Sequence, residues 1–219
     1  MNLLATATMT LVVAQTLLAG PPMICHPHVT GDEPSLPWGA DKNVWSLIDP
    51  KYDTANLAAD TLKLLHSGQS MLARMETLRR AAVYAWKDAA AGPALGNRLT
   101  ARALDSEVKG HPNGLALFDA GYFVESMKQL GHRTRVDSFA SIDGYEWTKR
   151  SVPGLQDKLA AEYALGLMQA AGGWPNEHIR RAVAGAQEGS LLAQNLTRRF
   201  DRATFTEVKR VLAAKYASR

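Results

Sequence analysis

The sequence contains a single cysteine among its 219 residues, which excludes an intramolecular disulfide. No apolar run reaches the roughly 20 residues that a membrane-spanning helix needs. No segment alternates apolar and polar residues over the length of a central β-strand. Because 46% of the residues are hydrophobic and 21% are charged, the composition is that of a folded protein. The fold must therefore depend on the packing of helices.

The signature motifs of common enzymes are missing as well. The sequence has no P-loop, no GxGxxG dinucleotide motif, no GxSxG nucleophile elbow and no CxxCH haem attachment. Glu177-His178 is not a zinc-protease motif, because the second histidine of HExxH is absent. These absences argue against a common enzyme class.

The N-terminus indicates export. From Leu3 to Ala19 the residues are mostly small and apolar, and Pro21-Pro22 then interrupts any helix. Small residues at Val12 and Ala14 suit a signal-peptidase site, and Ala19 ends a second one. The pattern predicts a signal peptide over residues 1–19 and export to the periplasm or the extracellular space. Because the start carries no Lys or Arg, the alternative is a buried N-terminal helix or a misplaced start codon.

Two further parts follow the predicted signal peptide. Residues 20–52, called the leader below, are rich in proline and resist regular structure. Trp38 and Trp45 are too apolar for a free linker, so we expect the leader to pack on the body of the protein through these rings. Residues 53–219 form the predicted helical domain.

Glycine, proline and capping residues divide residues 53–219 into helices. The predicted fold is all-α, with stacked helical hairpins that form an α-α superhelix or an irregular bundle. The predicted helices are 53–66, 70–90, 95–108, 114–130, 154–171, one that opens at Trp174-Pro175-Asn176, and 204–217.

Two of these helices have a clear pattern of burial. On 70–90, an apolar face lies opposite charged residues, which we expect in solvent. The apolar face consists of Met71, Met75, Leu78, Ala82 and Trp86, and the charged face of Glu76, Arg80 and Lys87. Helix 154–171 is apolar around most of its circumference, including Tyr163 and Leu167. Only Lys158, Glu162 and Gln169 mark a narrow polar stripe on it.

One stretch resembles a known repeat. Ala161-Glu162-Tyr163-Ala164-Leu165-Gly166-Leu167-Met168 resembles the first helix of a Sel1-like repeat, a relative of the tetratricopeptide repeat. Gly189 to Leu196 resembles the next repeat boundary, and Tyr145-Glu146-Trp147 the aromatic end of a preceding helix. The resemblance covers residues 145–200. It implies an α-solenoid-like scaffold that binds protein partners.

A metal site is the first candidate for chemistry. Cys25, His26 and His28 place three soft or borderline ligands within four residues, a set that suits copper or zinc. Pro27 restricts the local geometry, and the sequence offers no second ligand cluster such as CxxC. The alternative is a packed leader with its histidine side chains in water.

An acid–base site is the second candidate. Asp119, Tyr122 and Ser126 lie on one face of helix 114–130, beside its apolar residues. A carboxylate next to apolar core and a tyrosine hydroxyl can have a raised pKa and act as a catalytic base, which makes Asp119 and Tyr122 the candidate catalytic pair. The alternative is an aspartate that hydrogen-bonds to a neighbouring helix.

Positive charge collects at the C-terminal end, where residues 174–219 hold nine basic and four acidic residues within a chain of net charge +4. An acidic partner, a nucleic acid or an anionic lipid suits such an end, but solvated helix faces explain it more simply. No aromatic residues interleave with the arginines, so a nucleic acid is not favoured.

The leading hypothesis is an exported, non-enzymatic helical scaffold that binds another protein and needs no cofactor. The alternative is a metal-dependent or acid–base enzyme that uses either Cys25, His26 and His28 or the Asp119 face.

Overall fold

The computed structural model describes residues 22–88, 90–131, 139, 141–170 and 174–217. In this part of the chain the secondary structure consists of helices, with no strand, so the predicted all-α fold is confirmed. The predicted signal peptide over residues 1–19 lies outside the described residues. The α-helices are α1 Leu57–Leu64, α2 Met71–Lys87, α3 Ala91–Val108, α4 Gly114–Leu130, α5 Gly144–Ser151, α6 Lys158–Met168, α7 Glu177–Gly185, α8 Leu191–Arg199 and α9 Phe205–Ala217.

Side-chain caps fix where most of these helices begin. At each start a short polar side chain accepts a hydrogen bond from a backbone N–H of the first turn, which would otherwise lack a partner. These caps are Ser70, Asn113, Asp143, Asp157, Asn176 and Ser190. Helix α4 ends at Leu130 and is followed by Gly131, whose φ of +65° favours glycine. The predicted bounds of this helix, Gly114 and Leu130, are confirmed.

The predicted helices 70–90 and 95–108 place a break at Gly92-Pro93, and this position of the break is wrong. Helix α2 ends at Lys87, and α3 begins at Ala91, so both residues lie in the first turn of α3. Proline is compatible with this turn because the first N–H groups of a helix have no partner within the helix.

Helix α4 is central and packs against α2, α3 and α5. Its approach to α5 is close enough to require glycine on both sides. A Cβ atom on Gly121 would lie 2.5 Å from the carbonyl oxygen of Gly144, and a Cβ on Gly144 would lie 2.5 Å from the carbonyl oxygen of Gly121. Helices α6 and α7 also approach each other closely, here with a glycine on one side. A Cβ on Gly166 would lie 2.4 Å from Cδ1 of Ile179.

The leader lies against α2. Met23, Ile24 and Leu36 are completely buried in the common core. Trp38 and Trp45 are half-buried, and each ring contacts an aromatic ring of α2. The leader therefore covers a face of α2 that would otherwise meet solvent.

This cover changes the environment of α2. Met75, Leu78 and Ala82 are buried as predicted, and Lys87 is exposed. The predicted exposure of Glu76 and Arg80 is wrong, because the Glu76 side chain is only 1% exposed and that of Arg80 only 13%. On α6, Tyr163 and Leu167 are buried and Lys158 and Gln169 are exposed as predicted, whereas Glu162, the third residue of the predicted polar stripe, is half-buried.

None of the helices in the described part of the chain combines the length and the apolarity of a membrane span.

Candidate functional site

A buried ionic network occupies the face of α2 beneath the leader. Both carboxylate oxygens of Glu76 accept hydrogen bonds from Arg79, at 2.7 and 2.8 Å. One oxygen also accepts from Nε of Arg80 at 2.7 Å, and the other from the backbone N–H of His28 at 2.9 Å. Burial alone would raise the pKa of Glu76, but the charge and hydrogen bonds of Arg79 lower it to about 2. Glu76 is therefore ionised at neutral pH.

The arginines of this network hold the backbone of the leader. Nη1 of Arg79 donates to the carbonyl oxygens of Ile24 and Trp45, each at 3.1 Å. Nη1 of Arg80 donates to the carbonyl oxygen of Leu36 at 2.5 Å. Carbonyl groups buried outside regular structure need such partners, since an unpaired buried polar group is costly. The network therefore has a structural role.

Asp119 of α4 forms a second buried ion pair, with Arg74 of α2. Nη1 of Arg74 donates to both of its carboxylate oxygens, at 2.8 and 2.7 Å, and both side chains are inaccessible to solvent. Burial raises the pKa of Asp119 to about 6, against the lowering effect of the Arg74 guanidinium. Asp119, the candidate catalytic base, is thus hydrogen-bonded to a neighbouring helix. This arrangement is the alternative that the sequence left open.

Tyr122, the other candidate catalytic residue, contacts His28 instead of Asp119. Nε2 of His28 lies 3.0 Å from the Tyr122 hydroxyl, and the imidazole meets the Tyr163 ring edge-on at 5.8 Å. Nδ1 of His28 is buried and has no hydrogen-bond partner within the described chain. Burial lowers the pKa of His28 to about 3 and raises that of Tyr122. Both side chains are therefore neutral at pH 7.

Cys25 and His26 lie elsewhere, in a cavity of about 190 Å³ between the leader and α8. This basic cavity is lined by Cys25, His26, Pro27, Asn43, Tyr163, Asn195, Arg198 and Arg199. The structure therefore brings together two of the three candidate metal ligands and places His28 outside the lining. Within the described residues no group of three or more His, Cys, Asp or Glu side chains is arranged to hold a metal.

The electrostatics of the basic cavity are positive. Burial raises the pKa of Cys25, and burial with the charges of Arg199 and Arg198 lowers the pKa of His26 to about 4, although His26 reaches solvent. Burial also raises the pKa of Tyr163, against Arg199. The thiol, imidazole and phenol are thus neutral beside two guanidinium groups, and no described lining residue is acidic.

Hydrogen bonds between α8 and the leader fix the walls of this cavity. The Asn195 amide accepts from the N–H of Val29 and donates to its carbonyl oxygen, both at 2.9 Å. Nη2 of Arg198 donates to Oδ1 of Asn43 at 3.0 Å. Arg199 donates to the carbonyl oxygen of Pro22. The site is therefore assembled from segments more than 150 residues apart.

The sequence predicts Arg198 and Arg199 on a solvated basic face. Arg198 is exposed as predicted and Arg199 is half-buried, but the prediction did not include the cavity that both residues line. The available signal was their spacing from Asn195, since residues three and four apart share one helix face. The sequence of α8 does not show what covers this helix face, because no nearby residue indicates that the leader packs there.

A second cluster also went unpredicted. His178 on α7 bridges two helices, with Nε2 lying 2.9 Å from the Tyr145 hydroxyl and Nδ1 2.6 Å from a carboxylate oxygen of Glu162. All three side chains are half-buried. The chain of contacts joins α5, α6 and α7.

Comparisons of this chain with protein-family models, with curated proteins and with solved structures find no match. The resemblance of residues 145–200 to Sel1-like repeats therefore stays a prediction, and function must be argued from the site alone.

Proposed function

We propose that this protein is a non-enzymatic binding protein whose ligand carries an anionic group that enters the basic cavity. One observation supports the proposal above all others: Arg198 and Arg199 both line a partly open cavity whose described lining contains no carboxylate. Elsewhere in the described part of the chain, the arginines of α2 are matched by Glu76 and Asp119.

The donors at this cavity suit an oxyanion. Guanidinium groups present planar forks of N–H donors that match carboxylate and phosphate oxygens. The Tyr163 hydroxyl and the Cys25 thiol add neutral donors beside them. A volume of about 190 Å³ exceeds that of several waters, at about 30 Å³ each, and accommodates one phosphate-sized ion.

Preorganisation supports the same proposal. Asn195 and Arg198 are already held by hydrogen bonds to the leader, and the Arg199 guanidinium lies 5.7 Å from the Trp174 ring centroid. Side chains fixed before binding lose little conformational entropy when the ligand arrives.

Titration calorimetry with inorganic phosphate tests this function. Wild-type protein is expected to bind phosphate, and Arg198→Gln to bind it about 10- to 100-fold more weakly, because a hydrogen bond to a charged group contributes about 1.5–3 kcal/mol. The matched control is Arg210→Gln, which removes an exposed arginine of α9 outside the cavity. Equal affinities for the two variants, or no binding by the wild type, would remove the proposal.

A specific observation favours a second function, the exported scaffold for another protein. Leu104 and Val108 lie one turn apart near the end of α3 and are 48% and 87% exposed. In the proposed scaffold, this exposed apolar pair is the surface that the partner protein covers.

Site-specific photo-crosslinking in the native host tests the scaffold. A crosslinker at position 108 is expected to yield one discrete adduct with another protein, whereas a crosslinker at the exposed Lys158 of α6 yields none. The same adducts from both positions would indicate random encounters and contradict a docking site on α3.

A further inference from the structure

A larger groove adjoins the basic cavity. It measures about 500 Å³ and lies between α8 and the start of α9. Arg198 lines both the cavity and the groove. Since Asn195 and Arg199 border the cavity while Gln194 and Thr197 border the groove, the two spaces occupy neighbouring faces of the same helix. A ligand larger than an inorganic ion therefore has room beside the anion site.

The lining of the groove differs from that of the cavity. Phe205 and Ala193 are buried and supply an apolar floor, and Gln194, Thr197 and Arg202 supply polar groups around it. Small-molecule sites combine apolar area with a few polar groups in this way, at volumes of about 300–1,000 Å³.

Charge sets the orientation of a ligand that fills both spaces. Glu188 lines the groove beside Arg198 and Arg202, whereas the described residues around the cavity include Arg198 and Arg199 and no acid. An anionic head is therefore attracted more strongly to the cavity than to the groove. The neutral body of the same molecule has the opposite preference, because the cavity is polar and too small for it.

We propose that the ligand is an organic phosphate monoester, with its phosphoryl group in the basic cavity and its organic body in the groove. This inference rests on the proposed anion-binding function and specifies its ligand class. Arg198 is the residue common to both parts, and its bond to Asn43 keeps it at the boundary between them. A phosphoryl group fits better than a carboxylate because the two guanidinium groups approach one small space and a phosphoryl group offers three oxygens to them.

Calorimetry with matched probes tests the inference. The probes are inorganic phosphate, three monoesters (phenyl phosphate, glucose 6-phosphate and AMP) and the bodies of these monoesters without phosphate (phenol, glucose and adenosine). At least one monoester is expected to bind about 10-fold or more tightly than inorganic phosphate, and its body alone should bind more weakly than the monoester.

The variant Gln194→Trp separates the two parts of the site. Gln194 is exposed on α8, so a bulky residue there fills the groove without disturbing the core. We expect this variant to bind the monoester no more tightly than inorganic phosphate and to bind inorganic phosphate like the wild type. Gln169→Trp, at an exposed position at the end of α6, is the matched control and should retain the full monoester affinity.

The outcomes distinguish the inference from the function on which it depends. If inorganic phosphate binds but no monoester binds more tightly, or if both tryptophan variants behave alike, the organic-phosphate inference is wrong and the anion site stands. If neither phosphate nor any monoester binds the wild-type protein, the proposed function fails together with the inference.

Discussion

Glu76→Ala is expected to lower the free energy of unfolding by about 3–5 kcal/mol, since removing one partner of a buried ion pair leaves the other charge uncompensated. The charge left behind is that of Arg79, whose side chain is inaccessible to solvent. The backbone N–H of His28 also loses its acceptor. For a chain of this size, the loss corresponds to a melting temperature about 6–20 °C below that of the wild type, measured by thermal denaturation.

The matched control for this prediction lies in the same chain. Glu177 is followed by Arg180 and Arg181 in the same spacing in which Glu76 is followed by Arg79 and Arg80. Its ion pairs are exposed, so Glu177→Ala is expected to leave the melting temperature nearly unchanged. Similar melting temperatures for the two variants would contradict the structural role of the α2 network.

The two Glu-x-x-Arg-Arg segments also show that solvent exposure cannot be predicted from the local sequence alone. The sequence predicts that the charges of both segments lie in solvent, which is correct for α7 and wrong for Glu76 and Arg80 of α2. The difference comes from the leader, which covers the charged face of α2 and accepts hydrogen bonds from its arginines. The leader has no regular structure, so its sequence has no periodicity from which a buried face can be predicted. The helix on which it packs is determined by tertiary contacts.

Local chemistry was sufficient for some helices, but α5 and α8 were not among the predicted helices. The bounds of α4 follow from Asn113 as its cap and Gly131 at its end, both of which are visible in the sequence. Gly92-Pro93 misled the prediction because the same pair suits either a helix end or a first turn. In the structure, α2 ends at Lys87 and α3 begins at Ala91, so the pair lies in the first turn of α3.

The candidate site was predictable only in part. Spacing singled out Cys25, His26 and His28 as potential ligands, but neighbours in sequence need not share a cavity. The leader runs so that His28 faces Tyr122 in the core while Cys25 and His26 face α8. The arginines that give the cavity its positive charge lie near the other end of the chain. A motif of neighbouring residues therefore cannot include them together with Cys25 and His26.

Acidification is expected to reveal the burial of His28. Its pKa is lowered to about 3 because burial disfavours the charged imidazole, whereas an unfolded histidine has a pKa of about 6.5. Between these values the unfolded chain takes up a proton that the folded protein does not bind. His28 therefore contributes stability that is fully present above pH 6.5 and is lost as the pH falls towards 3, by about 1.4 kcal/mol per pH unit.

The variant His28→Asn isolates this contribution from other groups that titrate in the same range. Asp119, with a pKa raised to about 6, favours the folded state as the pH falls and opposes the effect of His28 in the wild type. Glu76, with a pKa lowered to about 2, destabilises the folded state only below about pH 4.5. The free energy of unfolding of the wild type minus that of the variant is free of the contributions of Asp119 and Glu76, which both proteins share. We expect this difference to be about 2 kcal/mol smaller at pH 5 than at pH 7, measured by urea denaturation.

Tyr122→Phe is the control that keeps the imidazole and removes only its hydroxyl partner. It is expected to cost about 1 kcal/mol for the lost hydrogen bond, by the same amount at pH 5 and pH 7, because the buried histidine still resists protonation. A His28→Asn difference that also stays constant between these pH values would mean that His28 takes up a proton in the folded protein. The imidazole would then have to be accessible to solvent or paired with Glu76, and its position between Tyr122 and Tyr163 would be wrong.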